Sequence, residues 1–164
     1  MKLGLDIHGV ITRSPDFFSK LSKETIRQGH EVHLLTGASL SKSVVMSLIN
    51  YDIAWTRLFS ITDYHLASGI TVDFDKNGNP WIEESLWDRS KAEYCAKNEI
   101  DFYIDDSDVY GKHFTTPYCF YNHNRNRFQW FYNEEECGEF LIANPDVTAE
   151  VILGLAESLK ESKN

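Results

Sequence analysis

The sequence predicts an α/β fold, a doubly wound and mainly parallel sheet with helices on both faces. Short apolar runs typical of buried strands alternate with amphipathic segments at helical spacing. Strands that alternate with helices are joined by right-handed crossovers, which makes the sheet parallel. No repeat, linker or low-complexity run interrupts the sequence, so we expect residues 1–164 to form one domain.

Local signals place the individual elements. Ser14 before Pro15 and Asn144 before Pro145 are typical helix starts, because Ser and Asn cap helices and Pro fits the first helical position. Gly29 ends the first helix. The predicted strands cover residues 3–5, 31–35, 58–61, 102–104 and 117–121. The predicted helices cover residues 15–28, 41–50, 88–98 and the segment that starts at 145.

Residues 70–84 predict a small β-hairpin. Two β-like runs flank Lys76-Asn77-Gly78-Asn79, and Asn-Gly between such runs is the strongest short hairpin signal. The same residues match a calcium-binding loop, Asp73-x-Asp75-x-Asn77-Gly78-x₅-Glu84. That loop requires a helix on each side, whereas the flank 70–72 is β-branched. We therefore expect a hairpin rather than a calcium site.

Charge and composition argue against several function classes. The formal net charge of −9 disfavours binding to long nucleic acid, which requires a basic surface. No apolar run approaches the ~20 residues that span a bilayer, so we expect no membrane segment. The amino terminus does not resemble a secretory signal, and we expect a cytoplasmic protein. Cys95, Cys119 and Cys137 show no C-x-x-C spacing and are expected to be reduced.

Polar side chains follow three predicted strands at their carboxyl ends. Asp6, Thr36 and the pair Asp105-Asp106 occupy these positions, and this edge of an open α/β sheet is where ligands bind. Carboxylates brought together need a cation, and Mg²⁺ fits carboxylates, water and phosphate. The Thr36 hydroxyl and the Lys91 ammonium suit a phosphoryl group, and an aspartate beside Mg²⁺ can form an aspartyl-phosphate. Each of these residues, taken singly, also has a purely structural interpretation. The aspartates would be turn residues, Thr36 would end a strand, and Lys91 would be a solvated lysine on a helix surface.

Four segments together resemble the motifs of the haloacid dehalogenase (HAD) superfamily. They are Asp6-x-x-Gly9-Val10, Leu34-Leu35-Thr36-Gly37, Lys91 and Ile104-Asp105-Asp106-Ser107, and the resemblance covers about residues 2–110. It implies a Rossmann-like three-layer sandwich, Mg²⁺ as cofactor and, most often, hydrolysis of a phosphate ester.

The resemblance also implies a role for each site residue. Asp6 would be the nucleophile, and Thr36 with Gly37 would bind the phosphate. Lys91 would hold nucleophile and phosphate in place. Asp106 and the carbonyl of His8 would bind the metal together with Asp6, and Asp105 is counted with them as a metal-binding acid.

One position departs from the family pattern. HAD phosphatases usually carry a second aspartate two residues after the nucleophile, where it acts as acid and base, and this chain has His8. Three interpretations stay open: His8 takes over the acid–base role, the protein performs slower or different chemistry from Asp6, or the site binds without catalysis. Tyr110 also stands where the family has an acid, which leaves Asp105 or Asp108 to supply that charge.

The resemblance gives a leading hypothesis and an alternative. The leading one is a Mg²⁺-dependent phosphohydrolase acting on a small phosphorylated metabolite or a nucleotide. The alternative is a catalytically impaired HAD-fold protein that binds a phosphorylated ligand or a protein partner; a phosphoryl carrier or transferase is a third. The stretch from Gly37 to Ser90 has room only for a hairpin-sized lid. In the family, a small lid implies bulky substrates or a homo-oligomer that closes the site.

A second segment carries aromatic and basic residues together. Between Tyr118 and Tyr132, aromatic side chains interleave with His123, Arg125 and Arg127. Such a segment can stack a base and hold a phosphate. Acidic residues follow this segment directly, which favours a packed hairpin with exposed arginines. A contact with a nucleotide-sized ligand or a subunit interface is the alternative.

Overall fold

The computed structural model describes residues 1–141 and 144–164 and has an α/β architecture. The strands are β1 (Lys2–Asp6), β2 (Glu31–Thr36), β3 (Arg57–Ser60), β4 (Asp73–Phe74), β5 (Pro80–Trp81), β6 (Phe102–Asp105), β7 (Tyr118–Asn122), β8 (Arg127–Phe131) and β9 (Cys137–Leu141). The α-helices are α1 (Pro15–Arg27), α2 (Lys42–Asn50), α3 (Ile61–Ala67), α4 (Glu84–Lys97) and α5 (Pro145–Ser162).

The main sheet has seven strands in the order β3-β2-β1-β6-β7-β8-β9. The first five in this order are parallel, and β8 and β9 extend the sheet in antiparallel fashion. This confirms the predicted α/β class with a mostly parallel sheet. The chain builds outward from β1 in one direction through β2 and β3, and in the other through β6 and β7. The strand order therefore reverses between β1 and β6, where open α/β sheets form a ligand crevice.

Both faces of the sheet are buried. Alternate strand residues point to opposite faces, and the buried side chains separate accordingly into two clusters. Phe102 and Ile104 of β6 belong to the cluster that also contains apolar side chains of α1 and α5. Tyr103, between them, belongs to the second cluster, together with Cys95 of α4. Helices therefore cover the sheet on its two sides.

Two helix boundaries differ from the sequence prediction. Helix α4 begins at Glu84 rather than at 88, because the Glu83 carboxylate caps it by accepting hydrogen bonds from the backbone of Ser85 and Leu86. Residues 61–67 form α3, where the sequence predicted that a strand continues to Ile61. The hydroxyl of Ser60 accepts a hydrogen bond from the Asp63 backbone and so starts this helix directly after β3.

The two predicted proline-led helix starts are both present but differ in their caps. The side chain of Asn144 accepts hydrogen bonds from the backbone N–H groups of Asp146 and Val147, as predicted for a cap. Ser14 precedes α1 without capping it. Its hydroxyl lies 2.6 Å from that of Tyr121 on β7, so this serine ties the helix to the sheet instead.

The predicted hairpin is present, with two-residue strands β4 and β5. Asp75, the second acid of the calcium-loop pattern, accepts hydrogen bonds on Oδ1 from the backbone of Asn77 and Asn79. This carboxylate therefore closes the turn, as Asx residues do in hairpins. Residues 73 and 74, the first two of the pattern, form strand β4, and residues 70–72 before them are not helical. The loop therefore has no helix directly before it, as a calcium site of this type requires.

The aromatic segment 118–132 is mostly packed. It forms the hairpin of β7 and β8, and the rings of Tyr121 and Phe128 stack at 4.7 Å in the core. Arg127 pairs with Glu139 of β9 at 2.7 Å. The predicted packed hairpin is present with Arg125 exposed, whereas Arg127 is half-buried against β9, a strand that was not predicted. A ligand contact or a subunit interface at this segment stays a prediction.

Two further expectations concern the chain as a whole. In the described ranges, no helix combines the length and apolar character needed to cross a bilayer. The three cysteines are free thiols, with Cys95 and Cys119 buried and Cys137 exposed.

Gly4 of β1 leaves room for the ring of Tyr103, its partner on β6. A Cβ at Gly4 would lie 2.7 Å from Cδ2 of Tyr103 and 3.2 Å from Cγ2 of Ile100. We expect Gly4→Ala to lower the free energy of unfolding by about 1–3 kcal/mol, because the core must shift. Gly154→Ala is the matched control: its Cβ meets no neighbour within 4 Å, so this exposed helix position should gain about 0.5–1 kcal/mol. Urea denaturation measures both, and equal effects would contradict the packing argument.

Candidate active site

The carboxyl ends of β1 and β6 bring together the acids that the sequence analysis singled out. Asp6 ends β1, Asp105 ends β6, and Asp106 follows at once. Helix α4 crosses this edge and contributes Lys91, which is buried along with Asp6 and Asp105. The topology thus joins residues that lie far apart in the sequence.

Lys91 bridges the two strands. Its Nζ donates hydrogen bonds to Oδ1 of Asp6 at 2.7 Å and to Oδ2 of Asp105 at 2.8 Å. Tyr103 donates its hydroxyl to the same Oδ2 of Asp105 at 2.6 Å, and the Ser107 backbone donates to Oδ1 at 3.0 Å. Asp105 is therefore held from three directions and in turn fixes the ammonium group beside Asp6.

The electrostatics of the cluster favour an additional cation. Burial by itself lowers the pKa of Lys91, but the charges of Asp6 and Asp105 outweigh it and raise the pKa, so the ammonium stays charged. Burial raises the pKa of Asp6 well above its ordinary value, although Lys91 opposes this, and burial and Asp105 raise the pKa of Asp106. Three carboxylates face one ammonium, which leaves two negative charges unbalanced when all are ionised.

The donor set fits a divalent cation. Oxygen atoms of Asp6, Asp105 and Asp106 lie within 4.8 Å of one another, and these residues are the one such group of three acidic, His or Cys side chains in the described ranges. Hard cations such as Mg²⁺ prefer carboxylate oxygens. Because Asp105 already accepts three hydrogen bonds, Asp6 and Asp106 are better placed to offer oxygen atoms to an ion.

Residues 7–11 form an irregular turn, with non-helical backbone angles at His8 and Gly9, that brings the chain past this cluster. Gly9 has a φ of +90°, a conformation that L side chains rarely adopt. A Cβ at this position would overlap the carboxylate of Asp106. Glycine is therefore required here both by its backbone conformation and by the space that Asp106 occupies.

His8 and Thr36 contact each other. His8 Nδ1 lies 3.0 Å from Oγ1 of Thr36, and the same Oγ1 accepts a hydrogen bond from the Ala38 backbone at 3.2 Å. Thr36 is fully buried, whereas His8 reaches the cavity at the site. Partial burial and the Lys91 charge lower the pKa of His8, which favours the neutral imidazole. Thr36 does not line the cavity, so its hydroxyl does not lie where the sequence predicted a contact with phosphate.

A cavity of about 520 Å³ opens over the acids, and we call it the Asp6 cavity. Its wall combines the sheet edge with the hairpin and helix α4. It is lined by Asp6, His8, Gly37, Ala38, Ile61, Asn79, Pro80, Trp87, Lys91, Asp105, Asp106, Ser107 and Tyr110. The predicted hairpin-sized lid thus contributes Asn79 and Pro80 to the wall.

Trp87 is a fixed part of this wall. Its indole N–H donates to the hydroxyl of Tyr110 at 2.9 Å. A Cβ at Gly37 would lie 2.5 Å from its ring, so the glycine after Thr36 lets the indole approach the backbone. Tyr110 therefore orients a tryptophan.

The sequence analysis missed Tyr103 and Trp87. Strand periodicity offered a signal for the first, since Tyr103 and Asp105 lie two residues apart on the same face of β6. Helical spacing offered a signal for the second, since Trp87 lies four residues before Lys91 on α4. That signal was lost because the helix was predicted to begin only at 88.

Comparison with known proteins gives no identification. The chain matches no protein-family model, no curated protein and no solved structure. The residues of the site are therefore the basis on which a function can be inferred.

Removing the Lys91 ammonium leaves buried carboxylates without a partner. We expect Lys91→Met to lower the free energy of unfolding at pH 7 by about 3–5 kcal/mol, as for other broken buried ion pairs. The loss should be smaller at pH 5. The pKa of Asp6 is raised in the folded protein, so as pH falls the folded variant takes up a proton before the unfolded chain does. Proton uptake by the folded state raises the free energy of unfolding of the variant as pH falls.

Lys20→Met provides the control for this experiment. Lys20 pairs with Asp146 at 3.2 Å on the surface, where both side chains are mostly exposed. Its replacement should change stability by less than about 1 kcal/mol at either pH. Denaturant titrations of both variants at pH 7 and pH 5 make the comparison, and equal losses would contradict the role of Lys91.

Proposed function

We propose that this chain is a Mg²⁺-dependent phosphohydrolase of the HAD type with a Rossmann-like core. The observation that carries the proposal is the cluster of Asp6, Lys91, Asp105 and Asp106 at the crevice between β1 and β6. A phosphoryl group needs a nucleophile and positive charge around its oxygen atoms, and this cluster supplies an aspartate beside an ammonium and a fitting cation site. The substrate class is a small phosphorylated metabolite or a nucleotide.

In the proposed reaction, Asp6 provides the nucleophile. A carboxylate oxygen of Asp6 attacks phosphorus, the bond from phosphorus to the ester oxygen breaks, and the departing alkoxide takes a proton to leave as an alcohol. Water then attacks the phosphorus of the aspartyl-phosphate, loses a proton, and releases inorganic phosphate with Asp6 regenerated. Oδ1 of Asp6 is bound by Lys91, which leaves Oδ2 for the attack.

The neighbouring residues support these two steps. Lys91 holds Asp6 in place and offers positive charge to a phosphoryl oxygen. Asp6, Asp106 and the backbone carbonyl of His8 would hold Mg²⁺, which when bound neutralises charge on the phosphoryl oxygens. Asp105 and Tyr103 keep the ammonium oriented through the hydrogen bonds described above.

His8 is the group best placed to exchange protons with the ester oxygen and the water. It lines the Asp6 cavity, and its Nδ1 contact with Thr36 leaves Nε2 to act. A positioned acid–base group contributes about 10²- to 10⁴-fold in rate. The Thr36 hydroxyl accordingly orients the imidazole in this proposal.

Phosphate release with Mg²⁺ tests the reaction directly. Over a panel of phosphorylated sugars, nucleotides and p-nitrophenyl phosphate, we expect release that Asp6→Asn abolishes, because the amide cannot attack phosphorus. Asp52→Asn makes the same change of atoms at an exposed position and should leave release intact. Release that survives Asp6→Asn, or no release from any compound, would refute the proposal.

The second candidate function is binding of a phosphorylated ligand without turnover. The observation that favours it is the His8–Thr36 contact, because an imidazole occupies the position of the family's second aspartate and covers the hydroxyl that would meet phosphate. Asp6, Lys91 and the cation site suit this function equally well.

Variants of His8 separate the two functions. If His8 exchanges protons, His8→Gln should lower kcat by about 10²- to 10⁴-fold and leave the binding of inorganic phosphate unchanged. If the protein only binds, wild type shows no turnover, and His8→Asp gains Mg²⁺-dependent release. Steady-state kinetics and calorimetric phosphate titrations give both readouts, with His123→Gln on the β7–β8 turn as control.

A further inference from the structure

A second cavity lies against the far side of Trp87, and we call it the tryptophan cavity. It has a volume of about 590 Å³ and is lined by Asp75, Asn79, Pro80, Trp81, Ile82, Glu84, Trp87 and Asp88. Asn79, Pro80 and Trp87 also line the Asp6 cavity, so the two cavities adjoin along these three residues. Its size is in the range of small-molecule sites.

Two tryptophans line this cavity, and they differ in exposure. The indole of Trp87 is fixed by Tyr110 and by its close approach to Gly37. Trp81, on β5, is 65% exposed although large aromatic rings are normally well covered. The hairpin thus contributes the mostly exposed Trp81 to a cavity that Trp87 also lines.

The charged residues of the tryptophan cavity are all acidic. Asp75 is occupied in closing the hairpin turn. Glu84 and Asp88 are different, because within the described ranges neither side chain accepts a hydrogen bond or pairs with a cation, and Asp88 is half-buried. No Lys, Arg or His lines the cavity, so a cation is the group that its charge favours.

We propose that the tryptophan cavity binds the ammonium group of an organic cation. Aromatic faces, tryptophan best of all, attract ammonium groups, and nearby carboxylates add to the attraction. Since the adjoining Asp6 cavity is the proposed phosphate site, the substrate is a phosphate monoester whose alcohol carries an ammonium group. This assignment of substrate class rests on the proposed function, whereas the ammonium site itself does not.

Other ligands fit the lining less well. A metal ion would need several free oxygen ligands held together, and no group of three acidic, His or Cys side chains in this cavity comes close enough among the residues described. A neutral nucleobase would stack on the indoles but would gain little from two unpaired carboxylates. An anionic group would be repelled by them.

Calorimetric titration of the full chain with choline tests the site without any turnover. Its uncharged isostere, 3,3-dimethylbutan-1-ol, has the same shape and no charge, so the pair isolates the ammonium. At equal ionic strength, we expect choline to bind at least ten times more tightly than the isostere. Equal affinities, no binding of choline, tighter binding of adenosine, or displacement of choline by equimolar Ca²⁺ would overturn the proposal.

Variants assign the binding to named residues. Trp81→Leu keeps an apolar side chain but removes the aromatic face and should weaken choline binding about 3- to 30-fold, while Trp81→Phe should retain most of it. Glu84→Gln combined with Asp88→Asn should weaken it about tenfold. Glu134→Gln combined with Glu135→Gln changes net charge equally in a remote loop and should have no effect. Equal weakening by both double variants would overturn the proposal.

The phosphate esters of the two alcohols then connect the cavities. We expect kcat/KM for the ammonium ester to exceed that for the uncharged ester at least tenfold, and Trp81→Leu to reduce this ratio without changing release from p-nitrophenyl phosphate. A ratio near one, with Asp6-dependent release intact, would overturn the substrate assignment and leave the proposed function standing. Choline binding without Asp6-dependent release from any ester would refute the proposed function and support the ammonium site alone.

Discussion

The buried ion pairs of Lys91 are the constraint on which this edge of the structure depends. One ammonium group from α4 joins the last residues of β1 and β6, so it fixes a helix and two strands relative to one another. Such a pair is stabilising only when every partner is satisfied, because an unpaired buried charge is expensive. The Tyr103 hydroxyl and the Ser107 backbone complete the set on Asp105. Gly4 also supports this hydrogen-bonded set, because the absence of a side chain makes room for the Tyr103 ring.

This arrangement satisfies Lys91 but leaves the acids in excess. Asp106 and the free oxygen of Asp6 face the cavity with too little positive charge beside them, and burial raises the pKa of both carboxyl groups. A divalent cation or a protonated carboxyl would relieve the excess. Asp105 is therefore held in place by three hydrogen bonds, whereas Asp6 and Asp106 carry the negative charge that a cation would neutralise.

Trp87 connects the acids to the hairpin. Its indole is held between the Gly37 turn and Tyr110 and forms a wall of both cavities. On one side lie the carboxylates and Lys91, and on the other lie Trp81 and two unpaired acids. A ligand that carries a phosphoryl group and an ammonium group separated by a short chain matches this division.

Local sequence patterns were enough to predict the α/β architecture and the convergence of Asp6, Lys91, Asp105 and Asp106 at one edge of the sheet. Alternating apolar runs and helix starts predicted the parallel α/β sheet, because periodicity and capping act over a few residues. The strand-end positions of Asp6 and Asp105 predicted that they meet. The same local signals did not predict β9 or the early start of α4, since the first depends on pairing with β8 and the second on the Glu83 carboxylate.

The contacts that each of these residues makes could not be read from the sequence. The sequence predicted both Asp105 and Asp106 as metal-binding acids, but Tyr103 and Lys91 bind Asp105, whereas Asp106 is exposed. Thr36 was expected to face phosphate, yet it is fully buried against His8. The tryptophan cavity forms between a hairpin and a helix. The physical reason is the same in each case: hydrogen bonds and cavities depend on which side chains meet in space, and local sequence does not encode those distances.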